Sequence, residues 1–506
     1  MTAKPTMKTN LISICVGALA WLAGNLPAAT LYVDLNSPTP TPPYTSWATA
    51  ATNIQTAIDA ASAGDTVLVT NGIYASGGKV MFGDLTNRVA VDKALTVMSL
   101  NGYAVTVIQG AWDTATNGPN AVRCVWLTNG ATLKGFTLRG GATRSTGDIL
   151  KLLSGGGAWC VSNSTIVLAN CLVTNNAAAF AGGGLYQGTA INCAINNNVL
   201  LTTQLTGGGA GALLASLTNC TVTRNKVVTT TGTVRSGGTY RGKAKNSIVF
   251  HNTAVFATTG VNILASTDVD TPTMDYCCAS APLLSELNGT GNITNAPLLG
   301  DNFHLLPSSP CRGAGSVTHV RGLDFDGEAW TNPPSMGCDE PMEADFIGVL
   351  SVALSSTFTN LYANRAFDMG AQITGLASAF AWDFGDGSTA TNLGINVSHT
   401  WTNAGSTIVT VTAYNTDNPA GVSATLPLNV LPLNLPQMQS AFVDTNGFQF
   451  QFFAQSNLSY IVQRATNLLA PIAWKSLVNK TPIADGFLSV TNPVTNPVVY
   501  YRLQVL

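Results

Sequence analysis

The chain has 506 residues, a net charge of −2, and 9% charged against 46% hydrophobic residues. That length exceeds one ordinary domain unless repeats stack, and the hydrophobic share argues against disorder. The small charge excludes nucleic acid as the expected partner, because phosphate recognition needs a basic excess.

Lys4 and Lys8 precede an uncharged, largely apolar stretch from Leu11 to Leu26, closed by Pro27-Ala28-Ala29-Thr30. A positive region, an apolar region and small residues, in that order, predict a secretory signal peptide over residues 1–29. The mature protein is then secreted, extracellular or at the cell surface. No lipobox surrounds Cys15, and no later stretch has the roughly 20 apolar residues that span a bilayer, so no transmembrane segment is expected after cleavage. Without Cys15, nine of the ten cysteines remain. An odd number leaves at least one thiol free or shared between chains.

Next come Ser46-Trp47-Ala48-Thr49, Ile54-Gln55-x-Ala57-Ile58, Ala63-Gly64-Asp65-Thr66-Val67 and Gly72-Ile73-Tyr74. A repeat follows. Asn-[Cys/Ser]-x-[Val/Ile]-x-x-Asn starts at Asn170, Asn192, Asn219 and Asn246, with spacings of 22, 27 and 27, and a degenerate copy begins at Gly135-Phe136. Glycine clusters separate the copies at 155–157, 182–184, 207–209 and 237–238. Alternate strand residues share a face, so Cys171 pairs with Val173, Cys193 with Ile195, and Cys220 with Val222. One such turn cannot bury its apolar face alone and must stack on its neighbours. Like residues then align in columns, with Asn at the bends because it tolerates left-handed angles. Runs of Gly beside β-branched residues argue against a helical repeat. A closing segment runs through Leu306-Pro307-Ser308-Ser309-Pro310-Cys311, Asp324-x-Asp326-Gly327 and Met336-Gly337-Cys338-Asp339-Glu340.

These residues resemble secreted bacterial pectin-lyase-like proteins, with polymorphic outer-membrane-protein-like repeats, over residues 30–342. The resemblance implies a right-handed parallel β-helix. It also implies that the Gln55 segment is a capping helix and that 306–340 is the terminal segment. The fold hosts lyases, hydrolases, adhesins and inert spikes, so it does not set activity.

Trp382-Asp383-Phe384-Gly385-Asp386-Gly387-Ser388, His399-Thr400-Trp401 and Val409-Thr410-Val411-Thr412-Ala413-Tyr414 resemble a PKD domain, an immunoglobulin-like β-sandwich, over 347–431. Trp382 is read as core, and Asp383 and Asp386 as turn residues rather than metal ligands. A Pro-rich linker, Leu431 to Pro436, leads to a small β domain over 437–506. Its strands are expected around Phe448–Phe452, Tyr460–Gln463 and Val498–Leu503. The fold class expected for the whole chain is all-β.

From Ile149 to Thr267 there is no Asp or Glu, which disfavours paired-acid hydrolysis on the rungs. It equally disfavours a carboxylate-built Ca²⁺ site. No cofactor or metal is expected, and Ca²⁺ finds no support in the rung sequence. The column beyond each Val/Ile reads Asn175, Asn197, Arg224, His251. One reading is a polysaccharide lyase, with Lys245 or His251 as base and Arg224 neutralising a uronate. The preferred one is a solvated polar column. Trp159, Tyr186, Gly211 and Tyr240 follow their glycine clusters at equal spacing. Trp159, Tyr186 and Tyr240 are the candidate glycan platform, and interior packing is the preferred alternative. Cys171, Cys193 and Cys220 read as stacked core thiols, and Cys311–Cys338 as the candidate disulfide. The function expected is a non-catalytic surface or matrix protein whose β-helix face binds polysaccharide or cell-surface glycans. A divergent lyase is the alternative and a structural stalk the third reading.

Overall fold

The computed structural model describes residues 28–505 apart from 115, 163–164, 203–206, 230–235, 257–268, 271–272, 281–286, 357–359, 392, 457, 459, 470–471, 481, 483 and 494–497. Most of the expected signal peptide lies outside the described residues. No described helix is long and apolar enough to cross a membrane.

Three long parallel sheets wind into a β-helix. Sheet A stacks nine strands: Thr30–Val33, Thr66–Val69, Thr96–Ser99, Thr132–Lys134, Val167–Ala169, Thr189–Ile191, Ser216–Thr218, Lys243–Lys245 and Thr273–Asp275. Sheet B includes Leu172–Thr174, Ala194–Asn196, Thr221–Thr223 and Ile248–Phe250, and sheet C includes Val122–Leu127, Ala158–Cys160, Leu185–Tyr186, Ala212–Leu213 and Thr239–Tyr240. A shorter sheet D, from Ala177–Ala178 to Thr253–Phe256, extends the later rungs. Val173, Ile195, Val222 and Val249 pair in succession, so the 22- and 27-residue spacings are single turns of the stack.

The two asparagines of each repeat do different work. Asn170, Asn192, Asn219 and Asn246 turn the chain from sheet A to sheet B with φ of 48, 49, 49 and 45°. The last asparagine of each copy points inward and builds a ladder. Nδ2 of Asn176 donates to Oδ1 of Asn198 (3.0 Å), Asn198 to Asn225 (2.9 Å), and Asn225 to Asn252 (2.9 Å). Each oxygen also accepts the backbone N–H of the preceding member. The glycine clusters follow from that ladder. A Cβ on Gly184 would lie 2.7 Å from the Gly211 carbonyl and 2.8 Å from Asn198 Nδ2, and Gly157 and Gly211 meet the same conflict. Only a residue without Cβ fits over the ladder.

Inside the stack, Cys171, Cys193 and Cys220 are fully buried, and the column continues to Ser247 and Cys277. Cys193 Sγ accepts the Cys171 N–H at 3.5 Å. Burial holds the Cys171 and Cys193 thiols well above the ordinary thiol pKa. These are packed, protonated core groups. Helix Ile54–Ala60, N-capped by Asn53, buries Ile54, Gln55, Ala57 and Ile58 over the open first rung. Gln55 completes the cover by pairing with Ala90, accepting from its N–H and donating to its C=O.

Residues after Ala279 turn back along the outside of sheet B. Asn170 Nδ2 donates to the Asp324 carbonyl, Asn192 Nδ2 to the Leu323 carbonyl and Asn246 Nδ2 to the Ser316 carbonyl. Cys338 N–H donates to Thr221 Oγ1. Cys311 and Cys338 are free, buried thiols that this segment places in different clusters. Cys311 packs with Ile248, Leu305 and Met336, whereas Cys338 packs with Ala194, Phe303 and Phe325. The candidate disulfide is therefore corrected.

A two-sheet sandwich follows, with Ser351–Leu354, Ala366–Thr374 and Asn396–Thr400 facing a five-stranded sheet that contains Ala379–Asp383 and Gly405–Asn415. Trp382 is 1% exposed in its core. Asp383 and Asp386 close turns by accepting from Gly385 N–H and Ser388 N–H. Two three-stranded sheets complete the chain around Phe450, Phe452, Tyr460 and Val462.

Candidate functional site

The polar column beyond sheet B aligns by register: Asn175, Asn197, Arg224 and His251 have φ of 53, 53, 55 and 59°. Its chemistry differs from that of a lyase site. Arg224 is directed at the sandwich, where its Nη2 donates to Asn396 Oδ1 (2.8 Å) and the Ala371 carbonyl (3.1 Å). Burial, then the Arg224 charge, pushes the His251 pKa down to about 4, so the ring is neutral at pH 7. Lys245 stands on sheet A, across the Asn246 corner and the whole width of sheet B. The three residues do not converge on one reacting centre.

The aromatic candidates do align, with a change of member. Register runs Trp126, Trp159, Tyr186, Leu213, Tyr240, so Leu213 holds the place assigned to Gly211, and Trp126 joins the column. Trp126 and Trp159 stack at 3.8 Å, and Trp159 and Tyr186 at 5.9 Å. All five are 7% exposed or less. Trp159 Nε1 donates to the Leu150 carbonyl, and Leu152 and Leu153 of the same loop pack with Ala179, Phe180 and the column in one apolar cluster. Arg123 pins this loop by donating to the carbonyls of Lys151, Ser154 and Gly155 and to Asn87 Oδ1. Burial pushes the Arg123 pKa down to about 9. The column is a second, external core and not an open platform.

The carboxylates missing from the rungs arrive with the segment over sheet B. The His304 ring lies between Asp301 (Nδ1 to Oδ2, 2.6 Å) and Asp326 (Nε2 to Oδ2, 2.7 Å), and Tyr103 OH donates to the other Asp326 oxygen. Burial alone would lower the His304 pKa, but Asp301 and Asp326 hold it well above the usual imidazole value. Burial raises the Asp339 carboxyl to about 8, and burial with the Asp324 charge raises Glu328 to about 7. His304, Asp326 and Asp339 bring donor atoms within 4.8 Å of one another. Both imidazole nitrogens are already hydrogen-bonded to carboxylates, and the group lacks the six to eight oxygens of a Ca²⁺ cage. It works as a charge-assisted clasp within the returning segment, and the Tyr103 hydroxyl ties it to the early rungs.

Sheet A differs from both of these faces. On sheet B the outward Ala194, Thr221, Thr223 and Ile248 are fully buried, and on sheet C the outward aromatic column is covered. Outward residues of sheet A are half-buried or exposed along the stack. One outward column reads Thr30, Thr66, Thr96, Thr132, Val167, Thr189, Ser216, Lys243, Thr273. The parallel column carries Lys134, Ala169, Ile191, Thr218, Lys245 and Asp275 over its last six strands. The strands rise about 4.8 Å each, so this hydroxyl-rich face is roughly 38 Å long.

Residues 359–430 match the PKD domain family. No curated protein matches the chain. Among solved structures it is similar to a carbohydrate-binding module of the β-sandwich superfamily, at 10% identity and a TM-score of 0.17, covering 31% of this chain and 91% of that one. It is also similar to pectate lyase Pel9A, at 13% identity and a TM-score of 0.34, covering 63% of this chain and 97% of that one.

Proposed function

We propose that this protein is an exported, non-catalytic surface or matrix protein that binds glycan chains along the outer face of sheet A. The observation that carries the reading is the contrast between the three long faces: among the described residues, sheets B and C are covered by the chain itself, whereas sheet A is met by the returning segment only at its last strand, at Asp275. Its outward Thr and Ser hydroxyls both donate and accept, as sugar hydroxyls require. Val167, Ala169 and Ile191 add shallow apolar patches for sugar C–H surfaces. A repeating surface suits a repeating polymer, since many weak contacts act at once. The separation of Lys245 from Arg224 and His251 favours binding over cleavage.

The test substitutes Ile191→Asp and Thr218→Asp together, both outward on sheet A, and measures retention on a panel of immobilised polysaccharides. Retention should fall sharply with unchanged circular dichroism, and no unsaturated product should accumulate with either protein. Undiminished retention by the double variant would sink the sheet A reading.

A further inference from the structure

The C-terminal unit has two unlike ends. At one, Tyr362 OH of the sandwich donates to the Ser456 carbonyl, Gln455 Nε2 donates to the Pro432 carbonyl, and Gln455 Oε1 accepts the Asn434 N–H. Strand register places Ala454 and Gly486 at that end, and Phe448, Asn492, Ala465 and Tyr500 at the other. Arg464 Nη1 donates to Asn492 Oδ1 and Asn492 Nδ2 to Tyr501 OH, joining the two sheets at this far end. The far end is apolar and uncovered. Leu468, Leu469 and Ile472, between strands Tyr460–Ala465 and Lys475–Lys480, are 49, 78 and 37% exposed. Val498 and Tyr500, the latter paired with Ala465, are exposed there too.

Cations stand beside these residues. Lys475 and Arg502 are exposed and Arg464 is half-buried. The Arg502 guanidinium lies 4.4 Å from the Trp474 ring and its Nε donates to Gln463 Oε1. None of the three forms a salt bridge among the described residues. Asp444 at this end is taken up by the Asn446 N–H and Gln449 Nε2. Residues 437–506 hold four cations and two acids, a formal +2 in a chain whose net charge is −2. Other exposed apolar groups lack this pairing. Phe82, Ile149 and Leu150 lie among Asp84, Asp148 and Lys151, and the strands that carry Phe442, Phe453 and Phe487 contain no cation.

We infer that this far end docks on the surface of a lipid bilayer that carries anionic headgroups. Leu468, Leu469 and Ile472 enter the interfacial layer, which takes aliphatic side chains without a shaped pocket. Arg464, Lys475 and Arg502 then face the headgroup phosphates, and Trp474 lies at the headgroup depth that suits an indole. Both signals are needed, because a few apolar side chains or a few charges alone hold a protein only weakly on a membrane. A second copy fits less well, since a two-fold contact sets a patch against itself and these cations against their own copies. The inference is independent of the sheet A reading.

The experiment measures co-sedimentation of the full chain with phosphatidylcholine vesicles and with phosphatidylcholine–phosphatidylglycerol vesicles at low and moderate salt. It compares the wild type with Leu468→Ser/Leu469→Ser and with Lys475→Ala/Arg502→Ala. Leu435→Ser/Lys226→Ala, which removes an exposed leucine and an exposed lysine elsewhere, serves as control. The wild type should prefer the anionic vesicles, release with salt, and bind about tenfold more weakly in either far-end variant, with the control unchanged. If loss of Arg502 disturbs the fold, as a lowered melting temperature would show, Lys475→Glu alone should give the same loss. Equal binding to both vesicles, no binding to either, or binding unmoved by both far-end variants overturns the inference. So does a dimer that Leu468→Ser/Leu469→Ser abolishes, which assigns the patch to a second copy. Polysaccharide retention should be the same in all four proteins, which separates this outcome from that of the sheet A test.

Discussion

Asparagine is used three ways within a few residues of each repeat. Asn170 and its equivalents hold a left-handed corner, Asn175 and Asn197 a second one, and Asn176, Asn198, Asn225 and Asn252 hydrogen-bond from rung to rung. Replacing Asn198 by Ala would strand the Asn176 N–H and one Asn176 Nδ2 proton inside the stack. With each buried orphan costing about 1–3 kcal/mol, Asn198→Ala should lower unfolding stability by at least about 2 kcal/mol, read from the denaturant midpoint. The two histidines give opposite pH signatures. His304 has a raised folded pKa, so its contribution is full below about 6.5, the ordinary imidazole value, and is lost as pH rises through the higher folded value. His251 is held neutral with a folded pKa near 4, so stability is lost as pH falls from about 6.5 toward 4. A melting-temperature profile should therefore drop on both sides of neutrality. His304→Gln should flatten the alkaline limb alone, and no change there would refute the clasp.

At the scale of the element, the glycine clusters are geometric partners of the ladder. Gly184→Ala places a methyl group against the Gly211 carbonyl and Asn198 Nδ2, and strain of about 1–3 kcal/mol is expected. Gly322→Ala, with open space around its Cβ position, should cost less by the same denaturant assay despite its positive φ. The rung register and the thiol column were legible in the sequence because both depend on a period that recurs four times. The division of labour between asparagines was not legible, since both sites read Asn and only direction separates them. Nor was the covering of sheet B: the bonds from Asn170 and Asn192 to the returning segment span 154 and 131 residues, with no periodic signal. The acid-free stretch from 149 to 267 correctly described the rungs. It did not describe the surface, because Asp301, Asp324, Asp326 and Asp339 come from elsewhere in the chain. Cys311 and Cys338 looked like partners because they are near in sequence and loop-rich. In the fold they face different packing clusters, so all nine described cysteines should resist a thiol reagent in the native protein and react after denaturation.

Over the whole molecule, the sandwich is fixed to the β-helix and does not hang from it. Leu306 of the returning segment joins the sandwich core, Ile395 N–H donates to the Leu299 carbonyl at 3.0 Å, and Arg224 supplies a charged tie from the rungs. Arg224 stood out in the sequence as the cation interrupting a column of asparagines, and that irregularity was a true signal of specialised use. Sequence alone could not separate a ligand contact from an internal one, because the acceptors lie 147 and 172 residues away. The tie has a consequence for the sheet A reading. A sandwich locked at the C-terminal end of the stack keeps a constant direction relative to the binding face, so a polymer held on sheet A has a fixed orientation relative to the rest of the chain. Arg224→Ala would remove two hydrogen bonds and leave Asn396 Oδ1 without this donor, loosening the junction while sheet A stays intact. Small-angle scattering should then show a larger maximum dimension, and proteolysis should quicken near 343–350, with glycan retention unchanged. If the variant scatters like the wild type, the apolar contact at Leu306 holds the junction by itself. If retention falls together with the loosening, the sandwich contributes to the binding face.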